Sequence, residues 1–105
     1  MTDEELTRIV ARLRRQKSDD AQTEAKACAG GLSADVWESV SAFANTHGGL
    51  LLLGLDENAR FTPAKGCELE KVRNAFVEGM GDGAAHSAKM TNIPDYKMER
   101  IFFEE

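Results

Sequence analysis

Cysteine is scarce in this chain. Cys28 and Cys67 are the only two in 105 residues. They are too few for a disulfide scaffold and lack the spacing of a metal-binding knuckle, so the expected state is two reduced thiols in a cytosol. Long apolar runs are missing as well: none approaches the ~20 residues that a membrane-spanning helix requires. The opening MTDEELTRIV has neither a basic n-region nor an apolar h-region, so it is not expected to be a secretory signal. Positive charge is also in deficit. The net charge is −5 and the pI about 5.0, an unfavourable balance for a freestanding tight nucleic-acid binder, whose basic surface releases counterions from phosphates. No internal repeat or low-complexity segment appears.

The composition, 42% apolar and 30% charged, is that of a soluble globular protein, and the length fits one domain. Leu6, Ile9, Val10 and Leu13 recur at i, i+3, i+4 and i+7. This spacing predicts an amphipathic helix over residues 3–16, capped by Thr2 or Asp3. After a polar break, Thr23 to Cys28 alternates as a strand, with Thr23, Ala25 and Ala27 on one face and Glu24, Lys26 and Cys28 on the other. Ser33 is the expected N-cap of a second helix, with Asp35 in its first turn and Trp37, Val40, Phe43 and Ala44 as its apolar stripe. That helix should end at Asn45 to His47, with Gly48 or Gly49 in a left-handed conformation. The run Leu50 to Leu55 predicts a fully buried central strand that delivers Asp56 at its end.

Beyond it, a loop over 57–67 holds Pro63 and Gly66, and Leu69, Val72, Phe76 and Met80 mark a third helix closed by Gly79, Gly81 and Gly83. Residues 81–97, with Pro94, are expected to be irregular, and Arg100 to Glu104 to begin a strand. Two strands joined through a helix predict a βαβ-like crossover. The expected class is therefore α/β or α+β, a small mixed sheet flanked by about three helices. A last strand without a partner suggests a truncated domain, residues 1–105 being the N-terminal part of a longer protein.

Two groups of residues point to chemistry. Arg8, Arg12, Arg14, Arg15 and Lys17 form a basic cluster that reads either as a phosphate-binding patch or as the solvated face of a helix. Asp19 (beside Asp20), Glu24 and Asp56 are carboxylates that converge if their strands are neighbours. Clustered carboxylates are what Mg²⁺ or Mn²⁺ needs, and Lys26, two residues from Glu24 on the same strand face, would stabilise charge on a phosphate. The plainer alternative is a Glu–Lys pair on a solvated strand. His47 is read as a helix C-terminal cap and Trp37 as core. Gly48-Gly49 precedes a strand, so it is not a phosphate loop.

The stretch Glu24-Ala25-Lys26, Gly30-Gly31-Leu32 and WESVSAFANTHGGLLLLGLDE resembles the Schlafen AlbA-type domain over residues 19–61. Its carriers are E-x-K, Ser41, Ala42, Phe43, Ala44, Asn45, Thr46, Gly48, Gly49, Gly54, Leu55 and Asp56. Asp20, Gln22, Thr23, Glu24 and Lys26 approximate the D-x-Q-T-x-E-x-K of bacterial members. In physical terms Ser41, Ala42 and Ala44 would let the helix pack closely on the sheet, and Asn45 and Thr46 would satisfy helix-end groups.

The resemblance implies a cytoplasmic DNA-binding module of a bacterial transcriptional regulator. Arg12, Arg14, Arg15 and Lys26 would make phosphate contacts, with DNA ahead of RNA as partner and no membrane. Animal members cut RNA, which implies the alternative of a metal-dependent nuclease. Asp19, Glu24 and Asp56 would be its Mg²⁺ or Mn²⁺ ligands and Lys26 would assist; Asp19 departs from the glutamate of those proteins. A dimerisation module, as a homodimer, is the third expectation.

Overall fold

The structure of the chain is a computed structural model that describes residues 1–81 and 95–101. Three helices, α1 (Asp3–Gln16), α2 (Val36–Ala44) and α3 (Leu69–Gly79), accompany four short strands, β1 (Thr23–Lys26), β2 (Leu50–Leu53), β3 (Leu55–Asp56) and β4 (Thr62–Pro63). The class is the expected small α+β fold with a mixed sheet. β1 and β2 pair in parallel, Thr23 with Leu50 through Lys26 with Leu53, and α2 makes the crossover between them. β3 and β4 pair antiparallel. Gly54, at φ +103°, joins β2 to β3. Its amide donates to the Lys26 carbonyl at 2.7 Å, and its carbonyl accepts from Ala64 at 2.8 Å, so this one residue bonds to both ribbons.

The alternation of the strands explains the layers. Leu52 faces the same way as Ala25, and both pack with Leu6, Val10, Leu13, Leu55 and Phe61, with Leu50, Ile9 and Ile101 at the margin. Leu51 and Leu53 face the other way and pack beside Val36, Val40, Phe76 and Met80, with Trp37, Leu32 and Met98. The sheet therefore separates two apolar clusters, α1 covering one face and α2 and α3 the other. A run of four leucines suits a strand with a helix layer on each face.

α1 forms as its periodicity predicts. Thr2 Oγ1 accepts the Glu5 N–H at 3.1 Å, acids fill the first turn, and Lys17 ends the helix in the left-handed region. Several expectations are corrected. β1 stops at Lys26, because Cys28 has φ +57° and breaks the alternation. Ser33 is not the N-cap: Ser33 to Val36 form a turn, and Asp35 holds the cap position. Ala42 and Ala44 are exposed, so they neither complete the stripe nor bring the helix onto the sheet; Ser39 is buried there instead. Gly48 takes the left-handed turn, and the Thr46 hydroxyl donates to the Phe43 carbonyl.

The leucine run is not one central, fully buried strand. It divides at Gly54, β2 pairs only with β1 among the described residues, and only Leu52 and Leu55 of the run are fully buried. The expected loop over 57–67 contains a 3-10 turn at Glu57–Ala59 and β4. In α3, Leu69 is exposed, while Val72, Phe76 and Met80 are buried. Arg100 and Ile101 are not in a strand. The remainder of that expected strand, Gly83 and most of the expected irregular segment including Pro94 lie outside the described residues.

The α2–α3 contact rests on close approach. The Trp37 and Phe76 rings stack at 5.5 Å between centroids, and a Cβ added at Gly79 would come within 2.1 Å of the edge of the Trp37 ring. Gly79→Ala is expected to destabilise the fold by about 1–3 kcal/mol, the usual scale for overpacking. Urea denaturation followed by Trp37 fluorescence checks this; an unchanged midpoint would show that the two helices slide apart without cost.

Candidate functional site

Glu24 and Lys26 lie on the sheet face that carries α2, because β1 turns Thr23 and Ala25 toward α1. Opposite them stand the first residues of the crossover helix. Lys26 Nζ donates to Glu24 Oε1 at 2.9 Å and to Asp35 Oδ2 at 3.0 Å. The Lys26 side chain is 16% exposed and that of Glu24 29%. Asp35 also accepts from the Ser33 hydroxyl. With its carboxylate so engaged, Asp35 makes no side-chain cap of its own helix.

Each member bears the electrostatic mark of this arrangement. Burial pushes the Glu24 carboxyl up, but the hydrogen bond from the Ser39 hydroxyl and the bond and charge of Lys26 outweigh it, so Glu24 lies below its ordinary range. Burial likewise pulls Lys26 down, and its bonds to Glu24 and Asp35 reverse this and hold it above the ordinary range. Asp35 is lowered by Ser33 first and then by Lys26.

Asp19 and Asp56 are placed differently. Asp19 Oδ2 accepts the Ala25 N–H at 3.4 Å, along the outer edge of β1. Asp20 continues that edge, exchanging backbone bonds with Thr23 at 2.9 and 3.3 Å. Asp56 Oδ1 accepts the Asn58 N–H at 2.9 Å and so caps the 3-10 turn. The carboxylate that does meet Asp19 is Glu57, which no sequence motif singled out. Burial, the charge of Asp19 and a hydrogen bond with its side chain all raise Glu57, Glu24 adds to this, and Lys26 opposes it.

Among the described residues no three His, Cys, Asp or Glu side chains are disposed to hold a metal ion. Asp19, Glu24 and Asp56 therefore do not form the ligand set expected for Mg²⁺ or Mn²⁺. Asp56 is spent on its local cap, and the Lys26 ammonium already neutralises Glu24. Asp35 and Ser39, one helical turn apart on α2, complete the Lys26 site. The helix-start pattern at Asp35 was a legible signal for the first, and nothing in the sequence singled out the second.

The basic cluster divides. Arg8, Arg12 and Arg15, at i, i+4 and i+7 of α1, line one open groove of about 350 Å³ together with Glu5 and Ile9. Arg12 also reaches the sheet edge: its guanidinium donates to Thr23 Oγ1 at 2.9 Å and lies 3.5 Å from Asp20 Oδ2. Its Nε is buried with no hydrogen-bond partner among the described residues. Burial pushes Asp20 up, but bonds from Gln22 and Gln16 and the Arg12 charge bring it below its ordinary range. Arg14 points elsewhere, its Nε donating to the Arg60 carbonyl at 2.7 Å. His47 is exposed, and Trp37 belongs to the core as expected.

No family model matches the chain, and neither a curated protein nor a solved structure matches it. No described helix is long and apolar enough to cross a membrane.

Removing Lys26 would strand two carboxylates, one of them half-buried. Lys26→Met is expected to destabilise the chain by about 1–3 kcal/mol at pH 7, below the usual cost of breaking a fully buried pair. The deficit should shrink in acid, where Glu24 and Asp35 take up protons. In the wild-type chain the sign follows from the lowered Glu24, Asp35 and Asp20. Their contribution is complete above the ordinary carboxylate range and is lost as pH falls through their folded-state values. Urea titrations of both proteins at pH 7 and pH 3 decide it; a deficit equal at both would remove the ion pairs from the account.

Glu57 has the opposite sign. Its raised carboxyl opposes folding as pH rises through the ordinary glutamate range, so Glu57→Gln is expected to stabilise the chain at pH 7 and not at pH 3. For an exposed pair the gain should stay within about 1 kcal/mol. Chemical denaturation at the two pH values measures it, and destabilisation at pH 7 would contradict it.

Proposed function

We propose that the chain is a nucleic-acid-binding module of a bacterial regulator-like protein, with DNA ahead of RNA as its partner, and that it holds the phosphate backbone on the exposed face of α1. The observation that carries this is the groove shared by Arg8, Arg12 and Arg15. Guanidiniums offer planar N–H donors suited to phosphate oxygens, and three of them line this groove beside Glu5 and Ile9. Arg8 and Arg15 are exposed and have no ion-pair partner among the described residues, so their charge is available. Arg12 contributes from a fixed position, because Thr23 and Asp20 hold it. The resemblance to the Schlafen AlbA-type domain over residues 19–61 supports the same function.

Local geometry answers the unfavourable overall charge. The net charge of −5 reduces attraction at long range, and a concentrated basic strip still acts within a Debye length, about 8 Å at physiological salt. The expected set of phosphate-binding residues changes accordingly. Arg12 and Arg15 remain, Arg8 joins them, and Lys26 and Arg14 serve intramolecular contacts. Such residues read phosphate and not base, so binding is expected to tolerate changes of sequence. A metal-dependent nuclease draws no support from the carboxylates, which lack a metal-holding arrangement.

Fluorescence anisotropy with a labelled DNA duplex over a salt series tests the proposal. Affinity should fall as salt rises, and Arg8→Gln with Arg15→Gln should reduce the slope of log K against log salt by about 2, near 0.9 for each phosphate no longer neutralised. Both arginines are exposed, and only Arg15, in the last turn of α1, adds a small helix-end contribution, so melting should change little. Salt-independent binding, or a slope untouched by the double substitution, would overturn it.

A further inference from the structure

Cys28 and Cys67 are distant in the chain, yet the fold brings them to one place. An isolated antiparallel bridge joins Ala29 to Cys67, and the Gly30 amide donates to the Gly66 carbonyl at 3.3 Å. Cys28, just before that bridge, adopts φ +57°, which turns it out of the alternation of β1. Gly54 stands beside the pair: a Cβ placed on it would lie only 3.5 Å from Cys67 Sγ, so glycine leaves that sulfur clear. Its amide donates at 2.7 Å to the carbonyl of Lys26, two residues before Cys28, which holds the end of β1 next to it.

We propose that Cys28 and Cys67 are a reversible redox pair, which a low-molecular-weight disulfide of the glutathione class converts to an internal disulfide clasping the end of β1 to the segment that enters α3. Accessibility assigns the order of events. Cys67 is partly exposed and Cys28 is buried, so Cys67 reacts first. The Cys67 thiolate attacks one sulfur of the small disulfide, breaking its S–S bond and releasing one small thiol. The Cys28 thiolate then attacks Cys67 Sγ in the mixed disulfide and expels the second small thiol. The protein loses two protons and two electrons, and the small disulfide gains both as it becomes two thiols. Burial pushes both thiols up, and the charge of Cys67 adds to this at Cys28; the nearby Lys26 opposes the shift and Asp35 reinforces it. Reaction is therefore slow where the thiols stay protonated and speeds as pH rises. The redox pair operates independently of nucleic-acid binding.

The test incubates the reduced chain with oxidised glutathione in mildly alkaline buffer, quenches it by acid and alkylation, and follows intact mass and a non-reduced peptide map. The expected course is a transient glutathione adduct on Cys67, followed by a monomer lighter by two hydrogens whose map links the Cys28 and Cys67 peptides. Reductant should reverse it. Cys28→Ser should accumulate the Cys67 adduct without resolving it; if that variant does not fold, the wild-type map alone decides. A persistent adduct on wild-type Cys67, a link between two chains, or no reaction would each overturn the proposal.

Discussion

A parallel strand pair cannot be closed by a tight turn, so the pairing of β1 with β2 obliges the intervening chain to cross one face of the sheet. That crossover is α2, and its position decides most of the remaining packing. It sets Val36 and Val40 over Leu51 and Leu53, and it leaves the opposite face for α1. It also brings Asp35 and Ser39 above the polar residues of β1. The Glu24–Lys26 pair, which could have been a solvated strand face, is thereby roofed and partly desolvated.

That roof changes the meaning of the charges. A lysine with one carboxylate on its own strand and another on the crossing helix ties two layers together, and has little charge left for a ligand. The basic helix α1 lies on the other side of the sheet, where Arg8 and Arg15 make no ion pair among the described residues, though Glu5 lines the same groove. The charges are thus divided between the two faces: ion pairing within the fold on one, a basic helix surface on the other.

Helical periodicity made α1 legible, since four apolar positions at one spacing admit a single face. The crossover was legible because two strand-like runs flanked a helix. The misplacements came from contacts between distant segments. Nothing local in Ser33 and Asp35 shows that Lys26 will engage the aspartate, and that engagement is what shifts the helix start. Ala42 and Ala44 are small enough to pack, yet the register of α2 turns Ser39 inward, toward Glu24, and leaves both alanines exposed. The expected triad had Asp19, Glu24 and Asp56 converge because their strands are neighbours. Asp56 instead caps its own turn, which leaves the next residue, Glu57, to meet Asp19.

The outer edge of β1 has a further consequence. Its Thr23 backbone groups are matched by Asp20, and its Ala25 amide by the Asp19 carboxylate. A four-residue ribbon with a bare flank would be a template on which copies of the chain could stack into fibrils. Here two adjacent aspartates occupy the template. The edge is thereby closed from within the chain, by the residues that run into β1.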